Sequence, residues 1–391
     1  MRRTAIPLTV KTDSTQLALF LNSLRAGGAE RIMVTIANAI AARGYSVDLV
    51  LSRAHGPFLS CVSPGVRLVD LGTSGVCRGA LRLRSYLERQ RPPVLLSTNM
   101  IMNVASVIVG KLAGSGTRAF LREGSTLSRD LAHQKRHPRR AVRWAARAVP
   151  FAYPRAEGVI AVSKGAGRDL VDNFGVPPEK LHVIYNPVID NNHGPAAGNR
   201  PVPHRWLNDN IPVLLAAGRL TEAKDYPTLL RAFAAVRRRR PARLVILGEG
   251  EERSKLEGLA RSLGISDEVD FPGFVNNPRD YLERANLFVM SSAWEGLPGS
   301  LIQALDCGCP AVSTDCPSGP AEILDNGRYG RLVEVGNAEQ LSGAILEALA
   351  GDTKSVERSW LDRFTVASAV RQYNEVLGLG EPAGARGKEG G

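Results

Sequence analysis

The stretch SAWEGLPGSLIQALDCGCP, residues 292–310, runs out of an apolar segment (Leu287 to Met290) through Trp294 and Glu295. It then enters a Gly-Leu-Pro-Gly turn and a helical pattern. An acid just before such a turn, with an amide, Gln303, eight residues later, needs a reason. A strand–turn–helix unit places backbone N–H groups at the start of its helix, where the dipole favours an anion. Glu295 can accept hydrogen bonds from vicinal hydroxyls, while amides near Ser300 and Leu301 can point at phosphate. Gln303 has a second reading, because Ser300-Leu301-Ile302-Gln303 fits the S-x-x-[EQ] capping box.

Working outward, the second half of the chain alternates strand and helix patterns. They run PVLLAAGRL (212–220), a helix from Tyr226, ARLVILGEG (242–250), a helix from Glu251, VDFPGF, NLFVMSS, a helix from Ser300, PAVSTD, GRLVEV and a helix over 337–350. Such alternation predicts a parallel sheet. The first half reads the same way. An apolar run, Leu17 to Leu21, leads through Gly27 and Gly28 into a helix with Ile32, Ile36 and Ile40 on one stripe, ended by Gly44. YSVDLVL follows, then strand patterns at 93–98, 117–123, 158–163 and 181–186.

The expected organisation is an N-terminal disordered segment (1–15), a Rossmann-like domain (16–190), a Pro/Gly/Asn-rich linker (191–210) and a second Rossmann-like domain (211–359). A C-terminal helix (360–378), possible as a crossing back to the first domain, and a disordered tail (379–391) complete it. The fold class is α/β: two doubly wound domains facing across a cleft at the carboxyl ends of their strands.

Composition bounds the function. The 391 residues are 44% hydrophobic and 23% charged, which suits two domains with real cores. No apolar run reaches the length of a membrane span, and the N-terminus lacks the apolar core of a signal peptide. Five cysteines without zinc-ligand spacing fit free thiols in a reducing compartment. The net charge of +12 is concentrated: residues 118–155 carry ten basic side chains against Glu123 and Asp130. Within HQKRHPRRAVRWAARAVPFAYPR (133–155), cations alternate with Trp144, Val149 and Phe151, as on a helix lying at an anionic membrane surface. A solvated basic face is the plainer alternative. No helix-turn-helix or RNA-platform pattern supports nucleic-acid binding.

Two further sites carry chemistry. Gly27 and Gly28 allow close approach of an anion to a helix start, or serve an ordinary tight turn; their spacing is not G-x-G-x-x-G. Arg219 and Lys224 follow the first strand of the second half, where a guanidinium fork and an ammonium suit a diphosphate.

Together GGAERIM, GRLTEAKDY, LVILGEGEER, residues 271–315 and NGRYGRLVEVGN resemble the retaining GT-B glycosyltransferases of glycosyltransferase family 4, over residues 16–378 in order. STDCPSGPAEIL resembles members that extend lipid-linked glycans in bacterial surface-polysaccharide, lipopolysaccharide or N-glycan assembly. The resemblance implies a cytoplasmic enzyme, peripheral on the inner face of the membrane, with neither cofactor nor metal. It would move a sugar from a nucleotide diphosphate, UDP favoured, to a hydroxyl of a lipid-linked or polysaccharide acceptor.

It further implies that Gly27 and Gly28 meet the donor diphosphate and that Arg219 and Lys224 stabilise the leaving nucleotide. Glu295 would hold the donor sugar; Gly296, Leu297, Pro298, Gly299, Ser300 and Leu301 would line sugar and phosphate; Phe274 and Val275 would frame the base. Two departures stand out. The second acid of the family's E-x₇-E signature is Gln303, and the loop where many relatives carry a histidine offers Arg122 and Glu123. A non-catalytic sugar-nucleotide or acidic-polymer binding protein and a GT-B enzyme such as an epimerase are the alternative functions.

Overall fold

The computed structural model describes residues 15–25, 27–73, 76–134, 140–190 and 204–382. Among these residues thirteen strands form two sheets. The first contains β1 (Leu17–Leu21), β2 (Val47–Leu51), β3 (Val66–Asp70), β4 (Val94–Thr98), β5 (Arg118–Glu123), β6 (Gly158–Ala161) and β7 (Leu181–Val183), in the order β3-β2-β1-β4-β5-β6-β7. The second contains β8 (Val213–Ala217), β9 (Arg243–Leu247), β10 (Val269–Gly273), β11 (Leu287–Met290), β12 (Ala311–Thr314) and β13 (Arg331–Val333), in the order β10-β9-β8-β11-β12-β13. The registers from β3 to β5 and throughout the second sheet are parallel.

Strands such as LALFL at β1 and LFVM at β11 are buried at every position. Helices cover both faces of a parallel sheet, so its strands read as unbroken apolar runs. Most sequence expectations for strands land within two or three residues. The strand β3 and the helices Val76–Gln90 and Met100–Ala113 were not anticipated. In β3 only Val66 is fully buried, which suits an edge strand and weakens its apolar signal.

The chain divides into two compact units: residues up to Arg122 with Arg139–Val159 and the chain from Gln372, and Glu123–Pro138 with Ile160–Arg371. In the first, Asp48 on β2 is 1% exposed and takes bonds from Arg67 (2.5 and 2.8 Å), Thr15 (3.1 Å) and Tyr86 (2.5 Å). Such a buried carboxylate is tolerated because every contact is a donor. In the second, the ends of β8, β9 and β10 are laced by backbone bonds, Gly218 N to Leu247 O (2.9 Å) and Gly248 N to Gly273 O (2.8 Å). Glycine is required at Gly248: its φ is +138°, and a Cβ there would lie 2.0 Å from Gly218 O.

The expected segment 1–15 and most of the expected linker and tail lie outside the described residues. Of the linker's last residues, Arg205–Asn208 forms a 3₁₀ turn that buries Trp206 in the second unit's core. Four cysteines are in no disulfide among the described residues: Cys309 and Cys316 are buried, Cys307 is half-buried and Cys61 is exposed.

The capping box expected at Ser300 does not form. The helix runs Gly299–Asp306 with Pro298 at its N-cap and no side-chain cap bond. Ser300 is thus already inside the helix, and Gln303 stands too far along it to reach the orphan amides of the first turn. Leu301 N and Ile302 N both donate to Pro298 O, at 3.2 and 3.4 Å.

Three stability outcomes follow. Gly248→Ala loses about 2–3 kcal/mol in urea titration, from strain and the clash with Gly218. Gly343→Ala, with open space around a mid-helix glycine, gains up to about 1 kcal/mol. Gln303→Ala changes stability by less than about 0.5 kcal/mol, where loss of a true cap would remove about 1 kcal/mol.

Candidate active site

The strand order of the second sheet reverses at β8. The chain steps outward from β8 to β9 and β10, then returns to place β11 on the other side of β8. Loops leaving two such neighbouring strands diverge and leave a crevice at their carboxyl ends. Arg219 and Lys224 leave β8, and Glu295 leaves β11.

Lys224 ends a 3₁₀ turn, Glu222–Lys224, and its Nζ donates to Glu295 Oε1 at 2.5 Å. The two side chains are 18% and 13% exposed, so the pair sits in a partly desolvated place where a charged hydrogen bond is strong. Ser292 Oγ donates to the same Oε1 at 2.7 Å. Oε2 has no hydrogen-bond partner among the described residues and remains an open acceptor. The loop backbones are tied too: Ser291 Oγ donates to Lys224 O at 2.8 Å, and Ala293 N to Ala223 O at 2.8 Å. Gly218 sits tight beneath this loop, since a Cβ there would come within 2.8 Å of Lys224 Cε.

The surroundings are electrostatically shaped. Burial, then the Glu295 carboxylate, pushes the Tyr226 hydroxyl up, and burial with Glu295 pushes the Cys316 thiol up to about 12. Both groups are therefore neutral at physiological pH, and Cys316 offers no thiolate nucleophile. Arg219 is exposed, and its guanidinium has no partner among the described residues.

The remaining expected residues divide. Gly296 is buried and pairs through its main chain with Ser125. Leu297 and Leu301 point into the apolar core, and Leu301 N is engaged by Pro298 O, so Leu301 presents no amide to a ligand. Pro298 has none to present. The helix start thus offers the Gly299 and Ser300 amides, which have no partner among the described residues. Gln303 is half-buried, and its side chain makes no hydrogen bond among the described residues. Phe274 is 51% exposed beyond β10, and Val275 packs against the core.

In the first unit, Gly27 is the extended N-cap of Gly28–Ala41, and a Cβ on Gly28 would meet nothing within 4 Å. No atom of the described residues forbids a side chain at Gly28. Arg122 is 1% exposed, and its Nη1 donates to Thr98 Oγ1 at 3.2 Å. Its guanidinium also bonds Tyr373. The expected placement of Arg122 at an acceptor gives way to a buried tie between β5, β4 and the last helix.

Sequence reasoning missed Ser292, Thr126 and Ser318, as well as the Asp130 carboxylate that accepts from Trp294 Nε1 at 2.9 Å. His133 lies 3.0 Å from Glu222 and 5.6 Å, ring to ring, from Trp294. No motif joins these residues, because they converge from separate loops.

The geometry agrees with what the chain is similar to. Residues 205–359 match the family model described as Glycosyl transferases group 1, and residues 26–191 that described as Glycosyltransferase Family 4. The chain is 28% identical over 355 residues to an N-acetylgalactosamine-N,N'-diacetylbacillosaminyl-diphospho-undecaprenol 4-alpha-N-acetylgalactosaminyltransferase of Campylobacter jejuni, covering 86% of this chain and 91% of that one. It is 28% identical over 227 residues to the lipopolysaccharide 1,6-galactosyltransferase of Salmonella typhimurium, 56% of this chain and 60% of that one. Among solved structures, Anabaena HepE in complex with UDP-glucose matches with a TM-score of 0.77 at 20% identity, over 93% of this chain and 99% of that one. WaaG, a glycosyltransferase involved in lipopolysaccharide biosynthesis, matches at 0.64 and 18%, over 96% and 100%. With the paired Lys224 and Glu295 at the reversal of a doubly wound sheet and family models matching both halves, the chain belongs to the GT-B glycosyltransferases of family 4 and is a glycosyltransferase.

Proposed function

We propose that this enzyme transfers a sugar, with retention and without a metal, from a nucleotide diphosphate to a hydroxyl of a lipid-linked or polysaccharide acceptor in bacterial surface-glycan assembly. The observation that carries the reading is the half-engaged carboxylate of Glu295. Oε1 is held by Lys224 and Ser292, and Oε2 is left open to sugar hydroxyls. The Arg219 guanidinium and the Gly299 and Ser300 amides, unpartnered among the described residues, supply charge and donors for a diphosphate. The similarity to undecaprenol-linked and lipopolysaccharide transferases supports the acceptor class, and the likeness to HepE with UDP-glucose favours a UDP-sugar.

In this reading the acceptor hydroxyl attacks C1 of the donor sugar on the face the diphosphate leaves. The bond from C1 to the diphosphate oxygen breaks, and that oxygen takes the acceptor's proton. Negative charge grows on the leaving group, so the protein's part is electrostatic: Arg219 and Lys224 stabilise it where a metal would otherwise do so. Gln303 can bond a ribose hydroxyl pair, once as donor and once as acceptor. Gly27 and Gly28 are assigned to the diphosphate, and Phe274 and Val275 to the base.

The acceptor's lipid calls for membrane contact. The helix Arg140–Ala152 buries Ala145, Val149 and Ala152 on one side. The other carries Arg140, Arg143 and Arg147 with Trp144 and Phe151, 71% and 67% exposed. Arg147 lies 5.9 Å from the Trp144 ring. Ile108 and Leu112, 48% and 60% exposed, are further exposed apolar side chains on the helix Met100–Ala113, which packs against this one. Exposed aromatics ringed by guanidinium groups suit an anionic lipid interface. Of the residues expected to take part, 135–139 lie outside the described ones. We assign the enzyme to the inner face of the cytoplasmic membrane on this basis.

A thermal-shift panel of UDP-, GDP-, ADP- and dTDP-sugars identifies the donor, with a UDP-hexose or UDP-N-acetylhexosamine expected to raise the melting temperature most. Activity with that donor survives EDTA, and Arg219→Ala lowers kcat/KM roughly tenfold to a hundredfold, the worth of a charged hydrogen bond. Loss of activity in EDTA with recovery in Mg²⁺ or Mn²⁺ overturns metal independence. In flotation with phosphatidylglycerol-containing vesicles, the wild type binds at low salt and detaches as salt rises. Arg140→Glu, Arg143→Glu and Arg147→Glu together abolish binding with the melting temperature preserved. A wild type that ignores such vesicles at low salt overturns the membrane assignment.

A further inference from the structure

We infer that Thr126 is a positioning residue for Glu295, acting through one buried hydroxyl that joins three loops; the inference rests on the reading of Glu295 as the ligand of the donor sugar. Thr126 is 4% exposed and Ser318 is 2% exposed. Thr126 Oγ1 donates to Glu295 O at 2.6 Å and shares a second bond with Ser318 Oγ at 2.8 Å. A hydroxyl carries one hydrogen and two lone pairs, so this one satisfies a carbonyl and a second hydroxyl at once.

The turn that bears Glu295 is gripped from two sides around that hydroxyl. On one side Ser125 forms an antiparallel bridge with Gly296, so close that a Cβ on Gly296 would lie 2.2 Å from Gly124 O. On the other, Gly319 has φ +98°, and a Cβ there would lie 2.5 Å from Pro298 Cδ. The bridge and the two close approaches fix how near the loops come. Among the described residues, the Thr126 bond is the side-chain hydrogen bond to the main chain of the residue that carries the carboxylate. It sets the tilt of the Glu295 peptide, while Lys224 and Ser292 set the position of Oε1. Oε2, the open oxygen, is aimed by the tilt of that peptide together with the hold on Oε1.

Without the hydroxyl, the Glu295 carbonyl loses its partner in a buried place and the peptide turns to seek another. The carboxylate then keeps its ion pair with Lys224 but aims Oε2 differently. Donor sugar contacts are thereby weakened, while contacts to the nucleotide, made by other groups, are unaffected.

Isothermal titration with UDP and with the best UDP-sugar from the panel separates these effects. Thr126→Val preserves shape and removes the hydroxyl; it weakens the UDP-sugar about tenfold and UDP less than twofold. Thr126→Ser restores the UDP-sugar to within about threefold of wild type, and Ser318→Ala, which leaves the Glu295 bond intact, gives a smaller loss than Thr126→Val. In a Glu295→Ala background, Thr126→Val costs nothing further. Equal weakening of UDP and UDP-sugar, no weakening of either, or a full additional loss in the Glu295→Ala background overturns the inference. If Glu295→Ala itself leaves the UDP-sugar affinity unchanged, the sugar-ligand reading of Glu295 fails first, and that outcome is seen without any Thr126 variant.

Discussion

Parallel pairing of β8 with β11, at the reversal of strand order in the second sheet, is the constraint on which the candidate active site depends. A parallel sheet sends every strand's exit loop to the same edge, and reversal parts the loops of two neighbours. The loop from β8 carries Arg219 and Lys224; the loop from β11 carries Glu295. Were another strand between them, about 5 Å of added separation per strand would keep Lys224 from the carboxylate. With the strands adjacent, the ion pair closes at 2.5 Å in a site less than one-fifth exposed.

That pair is held by a backbone that leaves little freedom. Gly248 and Gly250 let the β9 exit loop lie directly against Gly218 and Leu220, where a Cβ on either would approach a carbonyl oxygen to 2.0 or 2.2 Å. Glycines in this region serve close approach of protein to protein. Gly28 is different, since space around it is open. The same residue type thus has a packing role in one unit and, in the proposed reading, a ligand role in the other. Polar ties to side-chain hydroxyls finish the arrangement: Ser291 and Ser292 from the β11 loop, with Thr126 and Ser318 from two others.

The helix Arg140–Ala152 follows a separate logic. Its inward stripe is small and apolar, so it packs closely on the unit. Its outward stripe mixes guanidinium groups with two large aromatic rings. A solvated surface gains nothing from exposed Trp144 and Phe151, whereas a lipid interface accepts both rings and cations.

Much of this was legible in the residues. Fully apolar runs such as LALFL and LFVM announce strands buried on both faces. The glycine and proline turns announce the exits, and the charges just past the strand ends carry the proposed ligand site. Local chemistry of this kind is written along the chain, because each part involves neighbours in sequence. What tertiary structure alone decided is partnership. It showed that Arg122 is buried with Thr98 and Tyr373, that Gln303 caps nothing because the helix begins at Gly299, and that the Leu301 amide is taken by Pro298 O. It also joined Thr126, Ser292, Ser318 and Glu295, which lie up to 192 positions apart. The physical reason is that strand order and loop packing are set by the whole core. A hydrogen bond between distant residues has no local signature, since either partner alone is an ordinary serine, threonine or arginine.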